Sequence, residues 1–299
     1  MRVDETSCGS RGDPPPNPLP CAGEGGSQAH VSAWPSALRY ASGTPAGACA
    51  IVRAVMPTAS DTLLRPLRFD RLDALRGAAI VWMALFHFGF DLAHFGFTQQ
   101  NFHADPFWTG QRTLIVTLFL LCAGLGQAIA HEQRQGWPRF WRRWAQVAGC
   151  ALLVSLGSWW MFPRSYVSFG VLHGLAAMLL VARLTAGLRT WLWPLGGLAL
   201  LLPRLLAHPF FDSRLTNWIG LVTHKPITED YVPLLPWLGV LWWGLAAGQW
   251  LLAHRRAWLA GPLPRAAAPL ATLGRWSLSF YMLHQPLLIG ALWLVLQWG

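Results

Sequence analysis

The chain has 299 residues, of which 54% are hydrophobic and only 12% are charged. A soluble domain usually carries about 25% charged residues, so this composition excludes an ordinary soluble fold and favours a bilayer as the solvent. The net charge of +10 comes from arginines in short clusters between apolar runs, which is typical of membrane-protein loops and argues against a nucleic-acid partner.

Residues 1–60 are rich in Gly, Pro, Ser and Ala and have no apolar periodicity. This composition predicts a disordered N-terminal extension ahead of a transmembrane domain over 61–299. Met56 is a second plausible start residue, and the alternative prediction is that the native protein begins there. The five cysteines have no paired spacing, and we predict neither a disulfide nor a metal site from them.

Seven apolar runs follow the extension, and most reach the roughly 20 residues that a spanning helix needs. They predict an all-α fold, a polytopic membrane bundle of about seven transmembrane helices. The fourth and fifth runs are short and are predicted to form a helix hairpin. The runs are Leu75–Phe95, Trp108–Ala130, Ala145–Phe162, Tyr166–Ala182, Trp191–Ala207, Val232–Ala253 and Trp276–Trp298.

Basic residues are frequent in every second segment that flanks the apolar runs and rare in the others. This alternation predicts how the chain is oriented in the membrane. The basic-rich side is predicted to be cytoplasmic, which places the N-terminus inside and the C-terminus outside. The basic-rich segments carry Arg65, Arg68, Arg71, Arg76, Arg134, Arg139, Arg142, Arg143, Arg183, Arg189, Arg255, Arg256, Arg265 and Arg275. The opposite segments carry only Arg112, Arg164, Arg204, Arg214 and Lys225.

The first predicted helix contains three ionisable residues, His87, Asp91 and His94, at positions i, i+4 and i+7. This spacing places them on one helical face. Ionisable groups at membrane depth are costly and usually face a cavity or one another. The face is either part of a reaction site or a polar cluster that holds helices together. A third reading is a metal site completed by His173, although we expect no metal.

Asp73 and Arg76 stand three residues apart at the predicted cytoplasmic entrance of this helix, just after Arg71. They can pair on the helix surface, where they would act as an ordinary orientation signal and helix-end ion pair. The alternative is an anion or cofactor clamp, because the forked donors of arginine suit phosphate groups.

The first outer loop contains His103, a histidine that is either solvated and idle or a general base. His173, Asp230 and His284 stand in or beside later apolar runs. The predicted topology places most of these ionisable residues in the outer half of the bundle. We therefore predict a shared polar cavity to which His94, His173, Asp230 and His284 contribute.

Four motifs in order give the chain a resemblance to bacterial proteins with the heparan-α-glucosaminide N-acetyltransferase catalytic domain, within the transmembrane acyltransferase superfamily. The resemblance covers about residues 68–298. The motifs are Arg71-Leu-Asp-Ala-Leu-Arg-Gly77 with Met83, His87 and Asp91 after it, Phe169-Gly-Val-Leu-His173, Asp230-Tyr-Val-Pro-Leu-Leu-Pro-Trp237, and Gly274-Arg-Trp-Ser-Leu with Tyr281 and His284-Gln-Pro286 after it.

The resemblance implies transfer of an acetyl group from cytosolic acetyl-CoA to an acceptor at the far membrane face. It also implies a catalytic histidine in the loop after the first helix, followed by a Trp and a Gly. The matching positions are His103, Trp108 and Gly110, with two more residues between the His and the Trp than in the lysosomal member. His87 is the second candidate base, with Asp91 beside it, and Arg71, Asp73 and Arg76 are the predicted cofactor-binding residues.

The sequence thus predicts a membrane-embedded, acetyl-CoA-dependent acyltransferase of the bacterial inner membrane, acting on a sugar or cell-envelope acceptor. A homo-oligomer is compatible with this reading. One alternative is a transporter, whose helices also carry buried His and Asp. The other is a non-catalytic assembly protein, in which the ionisable groups would scatter instead of meeting.

Overall fold

The computed structural model describes residues 69–161, 163–228 and 230–298. Contacts divide the chain into Met1–Leu63 and Leu64–Gly299, and every described residue belongs to the second unit. The predicted disordered extension over 1–60 and the alternative start at Met56 lie outside the described residues. Within those residues, the fold is all-helical and contains no strand.

Every predicted apolar run overlaps a helix of the structure. The helix that contains the third run begins eight residues before the run, at Trp137. The α-helices are α1 Asp70–His94, α2 Pro106–Glu132, α3 Trp137–Met161, α4 Val171–Thr185, α5 Leu192–Leu205, α6 Leu234–His254, α7 Arg256–Ala260, α8 Ala268–Arg275 and α9 Ser277–Trp298.

Four helical segments of the described residues are long and apolar enough to cross a membrane, namely α1, α2, α9 and the continuous stretch Val171–Leu205. The helices α3 and α6 fall outside this group. Both are rich in tryptophan, a residue that favours the membrane interface over the hydrocarbon core. The membrane character of the chain is therefore clear, whereas the count of seven spans stays a prediction.

The stretch Val171–Leu205 reverses direction in its middle. Residues Ala186–Trp191 form a 3-10 segment in which Arg189 has a φ of 48°. Contacts with α6 show the reversal, because α4 advances along α6 in the same direction and α5 returns in the opposite one. The neighbouring pairs are Gly174 with Val232, Thr185 with Trp242, Trp193 with Trp243, and Ala199 with Gly239. The two short apolar runs therefore form a hairpin.

The core of the bundle lies where α2 crosses α6. Gly124 of α2 and Gly244 of α6 bring the two backbones so close that a Cβ at either position would meet the backbone of the other helix. Fully buried apolar side chains surround the crossing, including Leu120, Leu241 and Leu245. Small residues at the contact are what allow membrane helices to pack closely.

The segment between α6 and α9, predicted as a loop, instead contains the short helices α7 and α8. Neither is long enough to span a bilayer. The helix α8 packs against the start of α1, where a Cβ at Gly274 would overlap the backbone oxygen of Asp73. Apolar periodicity over so few residues gives no clear signal, and tertiary contact with α1 stabilises the helix.

Candidate active site

A histidine cluster occupies the interface between α1 and α9. The ring centroids of His87 and His284 lie 5.2 Å apart. One turn further along α1, Oδ1 of Asp91 accepts a hydrogen bond of 2.8 Å from Nε2 of Gln285. Asp91 is 2% exposed and His284 is 7% exposed, so both are withdrawn from solvent and lipid. Two of the four residues stand on each helix, and the helix contact itself assembles the cluster.

Four polar atoms of this cluster are buried and have no hydrogen-bond partner in the structure: Nδ1 of His87, Oδ2 of Asp91, Nε2 of His284 and Oε1 of Gln285. A buried polar atom without a partner costs free energy and calls for an explanation such as a bound molecule or a reactive role. Four such atoms at one helix interface make the histidine cluster a candidate binding or reaction site.

The hydrogen bonds of His284 assign its tautomer. Nδ1 of His284 lies 2.7 Å from the carbonyl oxygen of Tyr281, and a carbonyl can only accept. Nδ1 therefore carries the proton in the neutral ring, which leaves Nε2 with a lone pair. Since Nε2 is also the unpartnered atom, His284 provides a proton acceptor within the histidine cluster.

His94, the last residue of α1, and His103 of the following loop both lie near the Phe90 ring, just beyond Asp91. The Phe90 ring lies 5.8 Å from the His103 ring and stacks 6.5 Å from the His94 ring. The loop around His103 is well fixed, since Oδ1 of Asn101 accepts its backbone N–H at 3.0 Å. Its side chain is exposed, so it is accessible to an acceptor from outside the bundle.

Trp108 and Gly110, the two other residues that match the loop motif, stand at the start of α2. The Trp108 ring packs 4.1 Å from the buried Phe102 ring. Asp105 caps α2 by accepting the Phe107 N–H at 2.9 Å. The tryptophan therefore anchors the His103 loop onto the bundle, while no atom lies within 4 Å of a Cβ placed on Gly110.

His173 and Asp230 lie in a different place, at the N-terminus of α4. Oδ2 of Asp230 accepts the Val171 N–H at 2.6 Å, and Nδ1 of His173 accepts the Gly170 N–H at 3.4 Å. Since Nδ1 accepts, Nε2 of His173 holds the proton and donates to Oγ of Ser155 at 3.1 Å. Both side chains therefore cap a helix. Burial raises the pKa of Asp230, against the opposing effect of its hydrogen bond from Val171.

The residues predicted as the cofactor clamp differ in what they contact. Every side-chain nitrogen of Arg71 donates to a backbone carbonyl. Nη1 donates to Trp258 at 2.7 Å, and Nη2 and Nε donate to Pro262 at 3.1 and 3.3 Å. Arg71 therefore holds the segment after α7 against α1. Arg76 instead pairs with Asp73 at 3.1 Å and points toward α2, where Gly126 leaves room for its guanidinium.

Arg76 and Asp73 line a cavity of about 990 Å³. Ligand pockets typically measure about 300–1,000 Å³, so its size suits a large cofactor. Its walls come from the start of α1, the second half of α2, α3 as far as Leu153, the middle of α4, the end of α8 and the start of α9. Among the described residues, its basic lining residues are Arg76, Arg139, Arg143 and Arg275, and its acidic lining residue is Asp73.

The cavity and the histidine cluster share α9 but occupy different sides of it. Met282 and Leu283 line the cavity, and His284, the next residue, faces α1. Along α1, eleven residues separate Arg76 from His87, about 16 Å at 1.5 Å per residue. The helices α1 and α9 thus connect the predicted cofactor-binding residues with the histidine cluster. The other predicted site residues lie outside this cluster, namely His94, His103, His173 and Asp230.

Sequence reasoning missed Gln285 and the cavity role of Arg139, Arg143 and Arg275. Gln285 follows His284 in the closing motif, and its role depends on the α1–α9 contact. Arg139 and Arg143 stand four residues apart at the start of α3, a spacing that places both on one face, although they were interpreted only as loop charges. Among the described residues, no group of three or more His, Cys, Asp or Glu is arranged to hold a metal ion.

Comparison with protein-family models matches residues 68–286 to the family described as heparan-alpha-glucosaminide N-acetyltransferase, catalytic. The match covers most of the chain and contains both the arginine cavity and the histidine cluster. The chain belongs to this family. Membership confirms the resemblance carried by the four motifs and implies a multi-pass membrane protein with acetyltransferase activity. No curated protein and no solved structure matches the chain.

Proposed function

We propose that the protein transfers an acetyl group from cytosolic acetyl-CoA to a sugar or other cell-envelope acceptor on the far side of the bacterial inner membrane. In this proposal the seven apolar runs all span, the N-terminus lies inside, and the arginine cavity opens to the cytoplasm. The histidine cluster and the His103 loop then lie toward the outer face.

The observation that carries the proposal is the convergence of four arginines on one cavity. Arg76, Arg139, Arg143 and Arg275 come from three different helices. Within the part of the chain that the structure describes, Asp73 is the carboxylate of the lining, and it lies 3.1 Å from Arg76 and 3.8 Å from Arg275. Outside the lining, Oδ1 of Asp70 also accepts a hydrogen bond of 2.8 Å from Nη2 of Arg275. Four arginines against these two carboxylates still give the cavity an excess of positive charge. Guanidinium groups bind phosphates through paired donors, and coenzyme A carries several phosphate groups.

The histidine cluster between α1 and α9 supports the second half of the reaction. A histidine nitrogen with a free lone pair, such as Nε2 of His284, can take the proton of the acceptor amine or hydroxyl. The acceptor atom then forms a bond to the thioester carbonyl carbon, the carbon–sulfur bond breaks, and the leaving thiolate takes up a proton. The amide of Gln285 holds the Asp91 carboxylate in place beside the two histidines.

Two histidines remain candidates for the base, since His103 is accessible from outside and His284 is enclosed. The family resemblance favours His103, and the tautomer and burial favour His284 with His87 beside it. An assembly protein without catalysis would scatter its ionisable groups, whereas His87, Asp91 and His284 meet at one interface. This meeting favours the enzyme over the assembly protein.

Acetyl-CoA binding and radiolabelled acetyl transfer by the purified full chain test the proposal. Arg139→Gln and Arg143→Gln should each weaken acetyl-CoA binding by about tenfold, the loss of one charge-assisted contact. Arg142→Gln is the matched control, because Arg142 stands on the same helix turn and does not line the cavity. Absence of acetyl-CoA binding by the wild type, or equal binding by all three variants and the wild type, would contradict it.

A further inference from the structure

The arginine cavity has an apolar inner end that is open sideways. Leu153 of α3 and Leu283 of α9 line the cavity, yet they are 60% and 58% exposed. Gly149, another lining residue, would meet no atom within 4 Å if it carried a Cβ. The wall between α3 and α9 is therefore a gap, and the side chains at its edges are apolar.

The gap lies deep along the helices. Gly149 and Leu153 follow Arg139 by ten and fourteen residues, which is on the order of 15 to 21 Å along the axis of α3. Leu283 directly precedes His284, so the gap stands at the depth of the histidine cluster. The outward face of α3 beside it is apolar, with Leu152, Leu156 and Trp160 exposed. In a membrane, such a gap opens to the lipid hydrocarbon and not to water.

We propose that this gap accommodates the acyl chain of the donor, so that the protein accepts acyl-CoA thioesters with chains longer than acetyl. The inference rests on the proposed function and names its donor class. The phosphate-bearing head of the donor binds Arg76, Arg139, Arg143 and Arg275. The thioester lies near Leu283, and the rest of the chain passes between α3 and α9 toward the bilayer.

The charge and polarity of the cavity fit this class of ligand. One end is basic and the other apolar, which matches a molecule with an anionic phosphate head and a hydrocarbon tail. Each fully buried methylene adds roughly fourfold in affinity. An anionic phospholipid shares this chemistry, so the experiment must separate the two ligands.

The test measures displacement of radiolabelled CoA from the purified full chain by acetyl-, hexanoyl- and decanoyl-CoA. Wild type should bind decanoyl-CoA at least about tenfold more tightly than acetyl-CoA. Gly149→Trp and Leu283→Trp fill the gap and should abolish this preference. Leu152→Trp is the matched control, since Leu152 is 62% exposed and does not line the cavity, and it should keep the preference. Thermal unfolding of each variant verifies folding.

The outcomes separate this inference from the proposed function. Tight binding of acetyl-CoA without any gain for decanoyl-CoA would overturn the chain-binding gap and leave the acetyltransferase intact. Tighter binding of decanoyl-CoA that persists in both Gly149→Trp and Leu283→Trp would also overturn the chain-binding gap and leave the acetyltransferase intact. Displacement of decanoyl-CoA by phosphatidylglycerol at equal concentration would overturn the donor assignment in favour of a lipid site. Absence of binding by every CoA ester would contradict the proposed function itself.

Discussion

His87 of α1 and His284 of α9 face each other with ring centroids 5.2 Å apart, and each has a buried ring nitrogen without a partner. The two residues are 197 positions apart in the chain, and their helices run side by side. This pairing places a proton acceptor near Asp91 at the interface between α1 and α9.

His284→Ala and His87→Ala should each lower the rate of acetyl transfer by about 10²–10⁴-fold if the cluster provides the general base. His103→Ala should produce that loss instead if the base lies in the outer loop. His131→Ala is the control, because His131 is exposed at the end of α2 and belongs to neither place. Radiolabelled transfer at saturating acetyl-CoA measures the effect. Full activity in all three variants would place the base elsewhere.

Arg71→Gln and Arg76→Gln should have different effects, although both residues stand in the same motif. Arg71 donates only to backbone carbonyls, so its loss should lower the free energy of unfolding by about 1–2 kcal/mol. Arg76 faces the cavity, so its loss should weaken CoA binding by about tenfold. Thermal unfolding and CoA binding are measured for both. If Arg71→Gln weakens binding without loss of stability, Arg71 belongs to the clamp.

Gly274→Ala should destabilise the protein, because the added methyl group would overlap the backbone oxygen of Asp73 at the α1–α8 contact. Overpacking of this kind typically costs about 1–3 kcal/mol. Gly290→Ala is the matched control, since it lies within α9 and a Cβ there meets nothing within 4 Å. Thermal unfolding in detergent compares the two variants. Equal midpoints would show that α8 does not pack tightly on α1.

Asp230→Ala should lower the free energy of unfolding by about 0.5–2 kcal/mol, the usual cost of removing a helix cap. The reason is the loss of the acceptor for the Val171 N–H at the start of α4. Asp230→Asn keeps a side-chain oxygen in the same place and should retain most of the stability. Thermal unfolding at neutral pH ranks the two variants, and an Asn variant as unstable as the Ala variant would refute the capping role.

The loop around Asp212 should loosen in acid. A hydrogen bond from Oγ1 of Thr223, followed by backbone N–H donors of His224 and Thr223, lowers the pKa of Asp212 from 3.8 to about 2. Because the pKa of Asp212 is lower in the folded state, its ionised carboxylate stabilises the fold at pH values above the unfolded-state pKa. This stabilisation is lost as pH falls from about 4 to about 2. Pepsin cleavage of the loop should rise over that window in wild type relative to Asp212→Asn. Parallel profiles would contradict the linkage.

Composition and apolar runs by themselves predicted an all-helical membrane protein, and the four motifs predicted its family. These properties are local, because a spanning helix is defined by consecutive apolar residues and a motif by its spacing. Periodicity also placed His87 and Asp91 on one face of α1. No such signal exists for α8, whose helical form depends on its contact with Gly77 and Asp73.

Only the tertiary structure decided which polar residues meet. It brought His284 and Gln285 to His87 and Asp91, and it gave His173 and Asp230 hydrogen bonds that cap α4. Arg71 and Arg76 belong to one motif, but the structure gives them different contacts. Arg71 binds backbone carbonyls, whereas Arg76 lines the arginine cavity. Helix order and rotation set these contacts over separations of nearly 200 residues, and a single sequence carries no local pattern that specifies them.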